Sequence, residues 1–149
     1  DATWVFMPWE GILAKRDGIE LNEFRLDPYN IPYGYSPILI AHPETLTEKE
    51  ETISKFLKAS AKGFHFTKNY PEDAVKILAT SGKQEELKDG EFLLESQRAI
   101  NPYYMNPNND WGLMEDERWK AFVDWLKSEQ LIEKETLSDF TSLFTNKYL

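Results

Sequence analysis

Residues 3–11 have the sequence TWVFMPWEG, which predicts a strand that leads directly into a helix. The first four residues are aromatic or β-branched, a composition typical of a short buried strand. Pro8 suits the first turn of a helix, so we expect a helix over residues 9–15 that ends at Asp17-Gly18.

Two further segments have strand patterns. Residues 19–26 alternate apolar and polar side chains, but Phe24 and Leu26 fall out of phase, which suggests a slip or a bulge. Residues 38–41 form an Ile-Leu-Ile-Ala run that predicts a second buried strand.

The remaining segments favour helices. Thr47 and Glu50 have the spacing of a capping box, so a helix is expected from Thr47 to about Lys68. Further helices are expected over residues 71–81, 84–99 (with Gly90 as a weak point), 115–129 and, as a short last one, 137–144. The predicted class is α/β, with few strands followed by a helix-rich section. With so few strands, the helix-rich section could not cover both faces of a sheet formed by this chain alone. We therefore expect further strands from elsewhere in a larger protein.

Composition excludes several functional classes. The 149 residues have a net charge of −9, which argues against a nucleic-acid partner because such proteins need a basic face. No cysteine is present, so disulfides, thiolate nucleophiles and cysteine-ligated zinc are excluded. His42 and His65 are far apart in sequence, and we expect no metal site, catalytic triad or phosphate-binding loop.

The first candidate for ligand binding is Trp9-Glu10-Gly11, at the predicted end of a strand and start of a helix. Ligands of open α/β sheets bind at such positions. The Glu10 carboxylate is suited to accept hydrogen bonds from an amino group of a flat heterocycle, and the Trp9 indole offers a stacking face. The alternative is a glutamate stabilised by the helix dipole beside a core tryptophan.

Two loops are further candidates. In residues 28–37, prolines flank Tyr29, Tyr33 and Tyr35 and reduce the freedom of the loop, which favours tyrosines preorganised as pocket walls. The alternative is a packed connection whose tyrosines bury their rings and leave their hydroxyl groups exposed to solvent. Residues 101–112 are rich in Asn, Pro and aromatic residues, and they suit either the rim of a site or a surface loop anchored by its rings.

The succession of these motifs resembles the SsuA/Thi-type substrate-binding proteins of ABC importers, and most closely their branch that binds thiamine-precursor pyrimidines. The resemblance rests on Trp9-Glu10-Gly11, on residues 31–35 (IPYGY) leading into 38–41, on residues 53–59 with Gly63, and on the Tyr70-Pro71 step. Near the end it includes Trp111-Gly112, a helix with Trp119 and Trp125, and the terminal residues 144–149 (FTNKYL).

The resemblance implies a type II periplasmic-binding-protein fold with two lobes. Residues 1–149 are then expected to be the C-terminal portion, comprising the return crossing and the C-terminal part of the first lobe, with the N-terminal half absent. The implied ligand is a hydroxymethylpyrimidine or formylaminopyrimidine held between the lobes, with Glu10 on its amino edge and Trp9, Tyr33 and Tyr35 as aromatic walls.

The resemblance also implies a non-enzymatic, extracytoplasmic protein without a cofactor, either periplasmic or lipid-anchored, whose partner is an ABC permease. By itself, such a portion is expected to self-associate through exposed strand edges. Other hypotheses are an iron-dependent pyrimidine synthase of the same family, whose cysteine-rich motif this chain lacks, a carboxylate-based hydrolase, a stand-alone interaction domain, and a receptor for another solute such as a sulfonate.

Overall fold

The computed structural model describes residues 2–133, 135, 137 and 139–149. Its helices are α1 (Ile12–Arg16), α2 (Pro43–Glu48), α3 (Glu50–Asn69), α4 (Pro71–Ser81), α5 (Gly90–Ile100) and α6 (Asp116–Ser128). A π-helical turn, Met7–Gly11, precedes α1, and 3-10 turns lie at Asp27–Tyr29, Glu85–Lys88, Asn101–Tyr103 and Phe140–Leu143. No helix of the described residues has the length and apolar content of a membrane span.

The three strand predictions are wrong for this structure, because residues 3–6, 19–26 and 38–41 form no strand. Their side chains are not buried: Trp4 is 61% exposed and Ile40 is 87% exposed. A strand needs a neighbouring strand to pair its N–H and C=O groups, and the described residues provide none for these segments. The structure therefore does not confirm the predicted α/β class.

The chain divides into two compact units. Unit 1 comprises Asp1–Glu23 and Ala59–Trp111, and unit 2 comprises Phe24–Lys58 and Gly112–Leu149. Helix α3 contributes its first half to unit 2 and its second half to unit 1.

The core of unit 1 lies where α4 and α5 meet α1. Ile12, Val75, Phe92 and Leu93 are buried there, and Trp9 packs against them. Burial of each such apolar side chain stabilises the fold by about 1.5–3 kcal/mol. The predicted helix over residues 9–15 is confirmed, and Gly18, with φ of 71°, follows it in the left-handed conformation that glycine favours.

Two helix starts in unit 1 follow from local chemistry. Helix α4 begins at Pro71 as predicted. The helix expected from residue 84 instead begins at Gly90, because the Asp89 carboxylate accepts a hydrogen bond from the Phe92 N–H at 2.9 Å and so caps α5.

The capping box predicted at Thr47 is wrong. Helix α2 begins earlier, at Pro43, where His42 Nδ1 accepts a hydrogen bond from the Glu44 N–H at 3.3 Å. The Thr47 hydroxyl donates to the Pro43 carbonyl at 3.3 Å, so it lies inside α2 and caps nothing. Helix α3 starts after a break at Lys49 and ends at Asn69, one residue beyond the expected end.

In unit 2, α6 confirms the helix predicted over residues 115–129, and its Val123 is only 3% exposed. Of the short last helix expected over residues 137–144, residue 138 lies outside the described residues, and the 3-10 turn Phe140–Leu143 is the helical part of the rest. The end of the chain contacts the start of α3, since the Ser54 hydroxyl donates to the Tyr148 carbonyl at 3.0 Å and Lys147 pairs with Glu50 at 3.0 Å.

Candidate functional site

Glu10 lies in the helical turn Met7–Gly11 of unit 1, and its side chain is exposed. Its Oε2 accepts a hydrogen bond from the Phe6 N–H at 2.9 Å, which fixes the carboxylate at the start of the helical segment. Negative charge there is also favoured by the unpaired N–H groups of the first turn. The contact explains how the carboxylate is oriented, and the exposure leaves it accessible to a ligand.

Trp9 is half-buried beside Glu10. Its ring lies 4.6 Å from that of Phe92 at an interplanar angle of 75°, an edge-to-face contact with the core of unit 1. Trp9 therefore has the core contact that the structural alternative required, and part of its surface remains accessible to solvent.

Tyr35 lies in unit 2 and contacts the beginning of α6. Its hydroxyl oxygen accepts a hydrogen bond from the Glu115 N–H at 2.9 Å, at the N-terminus of that helix. The Arg118 guanidinium lies 4.4 Å from the centre of the Tyr35 ring, and the Trp119 ring lies at 5.9 Å. These contacts hold both the ring and the hydroxyl of Tyr35 in one place.

Tyr33 and Gly34 pack on the same helix. The Tyr33 ring lies 6.4 Å from the Phe122 ring at 68°, and Tyr33 remains 42% exposed. Gly34 is buried, and a Cβ at this position would lie 3.3 Å from Phe122 Cδ1. A larger residue at position 34 would therefore require the Phe122 ring to shift by a few tenths of an ångström.

Arg118 is a residue of this region that sequence reasoning missed. Its Nη2 donates to the Gly34 carbonyl at 3.1 Å and, at 3.5 Å, to the Tyr33 carbonyl. The available signal was its spacing of four from Phe122, which places both side chains on one face of α6.

The four predicted ligand-binding residues are shared between the two units: Trp9 and Glu10 belong to unit 1, and Tyr33 and Tyr35 belong to unit 2. Neither unit by itself contains the complete predicted set. Tyr29, the third tyrosine of the loop, is 58% exposed.

The loop over residues 101–112 has its own internal support. Asn106 Oδ1 accepts hydrogen bonds from the N–H groups of Asn108 (3.0 Å) and Asp110 (2.8 Å). Trp111 stacks on Phe64 in unit 1, with ring centres 5.0 Å apart. These are the contacts of a loop anchored by its rings, which was the structural alternative for this segment.

Unit 1 also has an open groove of about 440 Å³ between α3, α4 and α5. Phe64 and Leu78 line its apolar part, and Gln97 and Tyr104 supply its polar groups. None of the four predicted ligand-binding residues lines this groove, and no sequence motif indicated it.

The resolved pKa shifts of carboxyl groups occur at helix starts. At Asp89 the hydrogen bond from the Phe92 amide, assisted by the charge of Arg16, lowers the pKa. At Glu72 a hydrogen bond with its own backbone amide, together with Arg98, lowers the pKa. Both effects are those of helix capping and ion pairing. Within the described part of the chain, no three His, Asp or Glu residues are grouped as metal ligands would be.

A family model and a curated protein both match this chain. The model of the NMT1/THI5-like family matches residues 1–74, a range that includes all four predicted ligand-binding residues. The formylaminopyrimidine-binding protein of Halalkalibacterium halodurans is 23% identical over 128 residues, which cover 85% of this chain and 39% of that protein. The chain thus spans well under half the length of this relative.

The two matches confirm the predicted resemblance to a family that binds thiamine-precursor pyrimidines. The relationship implies a periplasmic-binding-protein fold, and the name of the relative is that of a binding protein and not of an enzyme.

Proposed function

We propose, from the relationship of this chain to the NMT1/THI5-like family, that it is part of the substrate-binding component of an ABC importer. The ligand is a thiamine-precursor pyrimidine of the hydroxymethylpyrimidine or formylaminopyrimidine type, held between two lobes. The observation that supports this most is the similarity to a formylaminopyrimidine-binding protein over 85% of the chain.

Glu10 is assigned to the amino edge of the pyrimidine. A carboxylate is an acceptor only, so it is matched to the two N–H donors of an exocyclic amino group. The Phe6 N–H holds Oε2 of this carboxylate at 2.9 Å and reduces the freedom that binding would otherwise have to remove.

Trp9, Tyr33 and Tyr35 are assigned to the flat faces of the ring. Aromatic side chains bind a planar heterocycle by stacking and by apolar burial. Tyr35 is held by hydrogen bonding and by Arg118, and Tyr33 is 42% exposed.

The chain is further proposed to be the C-terminal portion of a two-lobed protein, with residues 1–149 providing the return crossing and part of the first lobe. The exposed apolar side chains of Trp4, Phe6, Leu39 and Ile40 support this proposal, because the rest of such a protein would pack on these segments and cover them. We place this protein outside the cytoplasm, periplasmic or lipid-anchored, with a membrane permease as its partner. The separate chain is expected to self-associate through the same segments.

Ligand-induced thermal stabilisation of the full-length protein tests the proposal. Hydroxymethylpyrimidine, formylaminopyrimidine and an alkyl sulfonate are added separately, each at increasing concentration. A ligand present at a hundred times its Kd stabilises the folded state by about 2.7 kcal/mol, so a specific ligand gives a clear rise in Tm.

A rise with either pyrimidine and none with the sulfonate supports the proposal. Stabilisation by the sulfonate alone replaces the ligand and keeps the receptor function. The absence of any shift with all three compounds contradicts the proposed function.

A further inference from the structure

The guanidinium group of Arg118 has different kinds of partners from those of Arg16 and Arg98, the arginines of unit 1. Arg16 pairs with Asp89 and Glu95, and Arg98 pairs with Glu72. Arg118 forms no ion pair with a described residue, although acidic side chains are abundant in the chain. Its guanidinium contacts instead the tyrosine segment, residues 33–35.

The contacts of Arg118 fix this segment in two ways. Nη2 donates to the Gly34 carbonyl at 3.1 Å and reaches the Tyr33 carbonyl at 3.5 Å, which restrains the backbone. The same guanidinium covers the Tyr35 ring at 4.4 Å, which restrains the side chain. A planar guanidinium with several N–H donors can make both kinds of contact at once, and a lysine ammonium cannot reproduce that geometry.

The tyrosine segment is held by side-chain contacts as well as through its backbone, where the Tyr33 N–H donates to the Ile31 carbonyl at 2.8 Å. Residues 32–36 belong to no helix, and the segment is held through the Tyr35 hydroxyl, through Arg118 and by packing of Gly34 on Phe122. A ring that is already fixed loses less freedom when a ligand stacks on it, and this difference appears as affinity.

We infer that Arg118 is a positioning residue for pyrimidine binding, acting through the tyrosine segment and not by contact with the ligand. The inference rests on the function proposed above. It assigns to α6 a part in ligand recognition that none of the four predicted residues provides.

The test measures pyrimidine Kd by calorimetry in the full-length protein, for wild type, Arg118→Gln, Arg118→Lys and Lys120→Gln. Lys120 is the matched control, because it is an exposed cation on the same helix whose partner is Asp124. We expect Arg118→Gln to weaken binding about tenfold and Arg118→Lys to weaken it less, since the ammonium keeps a charge near the ring. Lys120→Gln is expected to leave Kd within about twofold of wild type.

A double-mutant cycle distinguishes positioning from direct contact or simple destabilisation. In a Tyr35→Ala background, Arg118→Gln is expected to cause little further loss of affinity, because the ring through which it acts is gone. The Tm of unliganded Arg118→Gln is measured beside that of Lys120→Gln, and similar values are expected.

Provided that wild type binds a pyrimidine, any one of three results would overturn the inference. The losses of affinity from Arg118→Gln and Tyr35→Ala could be additive, or Arg118→Gln could leave Kd unchanged. Arg118→Gln could also weaken binding only to the extent that its lower Tm accounts for. A wild-type protein that binds neither pyrimidine overturns the proposed function itself.

Discussion

Asn146 exchanges two hydrogen bonds with the backbone of Met114. Its Oδ1 accepts from the Met114 N–H at 3.0 Å, and its Nδ2 donates to the Met114 carbonyl at 2.8 Å. An amide side chain is the one that offers a donor and an acceptor side by side, so it matches a single residue's N–H and C=O. In unit 2 this pairing fixes the residues that follow Phe144 beside the segment that leads into α6.

Replacement of Asn146 by Asp is expected to destabilise unit 2. The carboxylate still accepts from the Met114 N–H, but it faces the Met114 carbonyl without a donor. We expect the free energy of unfolding to fall by about 1–2 kcal/mol, measured by urea denaturation. The control is Asn22→Asp, which makes the same chemical change at an exposed position. Equal losses in both variants would show that the pairing contributes nothing specific.

Asp89 is expected to make stability depend on pH. Its pKa is lowered in the folded state, chiefly by the hydrogen bond from the Phe92 amide and further by the Arg16 charge. A lowered pKa contributes stability above the ordinary pKa of the group, and that contribution is lost as pH falls through the folded value. Stability that depends on Asp89 should therefore decline as pH falls from about 5 towards 3.

The variant Asp89→Asn isolates this effect, since asparagine also caps helices but does not titrate. Wild type is expected to exceed Asp89→Asn in Tm at neutral pH, and the difference should shrink as the solution is acidified. Asp17→Asn, at an exposed turn, is the control. A difference between wild type and Asp89→Asn that stays constant from neutral pH to about pH 3 would contradict the assignment.

The same glycine-to-alanine change is expected to have opposite effects at two positions. Gly63 lies within α3, and nothing occupies the space within 4 Å of a Cβ there, so Gly63→Ala should stabilise the protein by about 0.5–1 kcal/mol. At Gly34 the new Cβ would meet Phe122 at 3.3 Å, so Gly34→Ala should destabilise by about 1 kcal/mol or more. Urea denaturation of the two variants tests both signs, and stabilisation by Gly34→Ala would contradict the close packing on α6.

Glu10→Gln separates the ligand role of this residue from its structural role. The introduced glutamine side chain keeps an oxygen for the Phe6 N–H, so the Tm without ligand should change little. Loss of the negative charge is expected to weaken pyrimidine binding about tenfold, because hydrogen bonds to a carboxylate are stronger than those to an amide. Glu20→Gln, at an exposed position, serves as the control for charge. Unchanged affinity in calorimetry would remove Glu10 from the site.

Local signals predicted the helices well. Pro71 marks the start of α4 in both sequence and structure, and the apolar stripe around Val123 locates α6 to within a residue at each end. These signals succeed because a helix satisfies its backbone hydrogen bonds within a short stretch of chain. Two starts were misplaced because a competing cap lay nearby: His42-Pro43 begins a separate helix before Thr47, and Asp89 restarts the helix expected from residue 84.

The formation of strands and of the candidate site depends on contacts between residues far apart in sequence. The local sequence pattern could not predict such contacts. The Ile-Leu-Ile-Ala run at residues 38–41 has strand composition, yet no described residue pairs with it. Arg118 was missed for a related reason, since its contacts with residues 33–35 join positions more than eighty residues apart. The resemblance to a pyrimidine-binding family came from the order of several weak motifs, although each motif alone was not specific.

Two tryptophans allow the unfolding of each unit to be followed by intrinsic fluorescence. Trp111 stacks on Phe64 in unit 1, and Trp119 stacks on Phe144 in unit 2. Indole emission changes when such a stacked ring becomes solvated. A variant that keeps Trp111 as its one tryptophan, with phenylalanine at the other tryptophan positions, therefore reports on unit 1, and a variant that keeps Trp119 in the same way reports on unit 2. Melting curves that coincide identify one cooperative transition, whereas separate midpoints identify two. The absence of cysteine adds a second route, because any cysteine introduced at a chosen surface position becomes a unique point for attaching a dye.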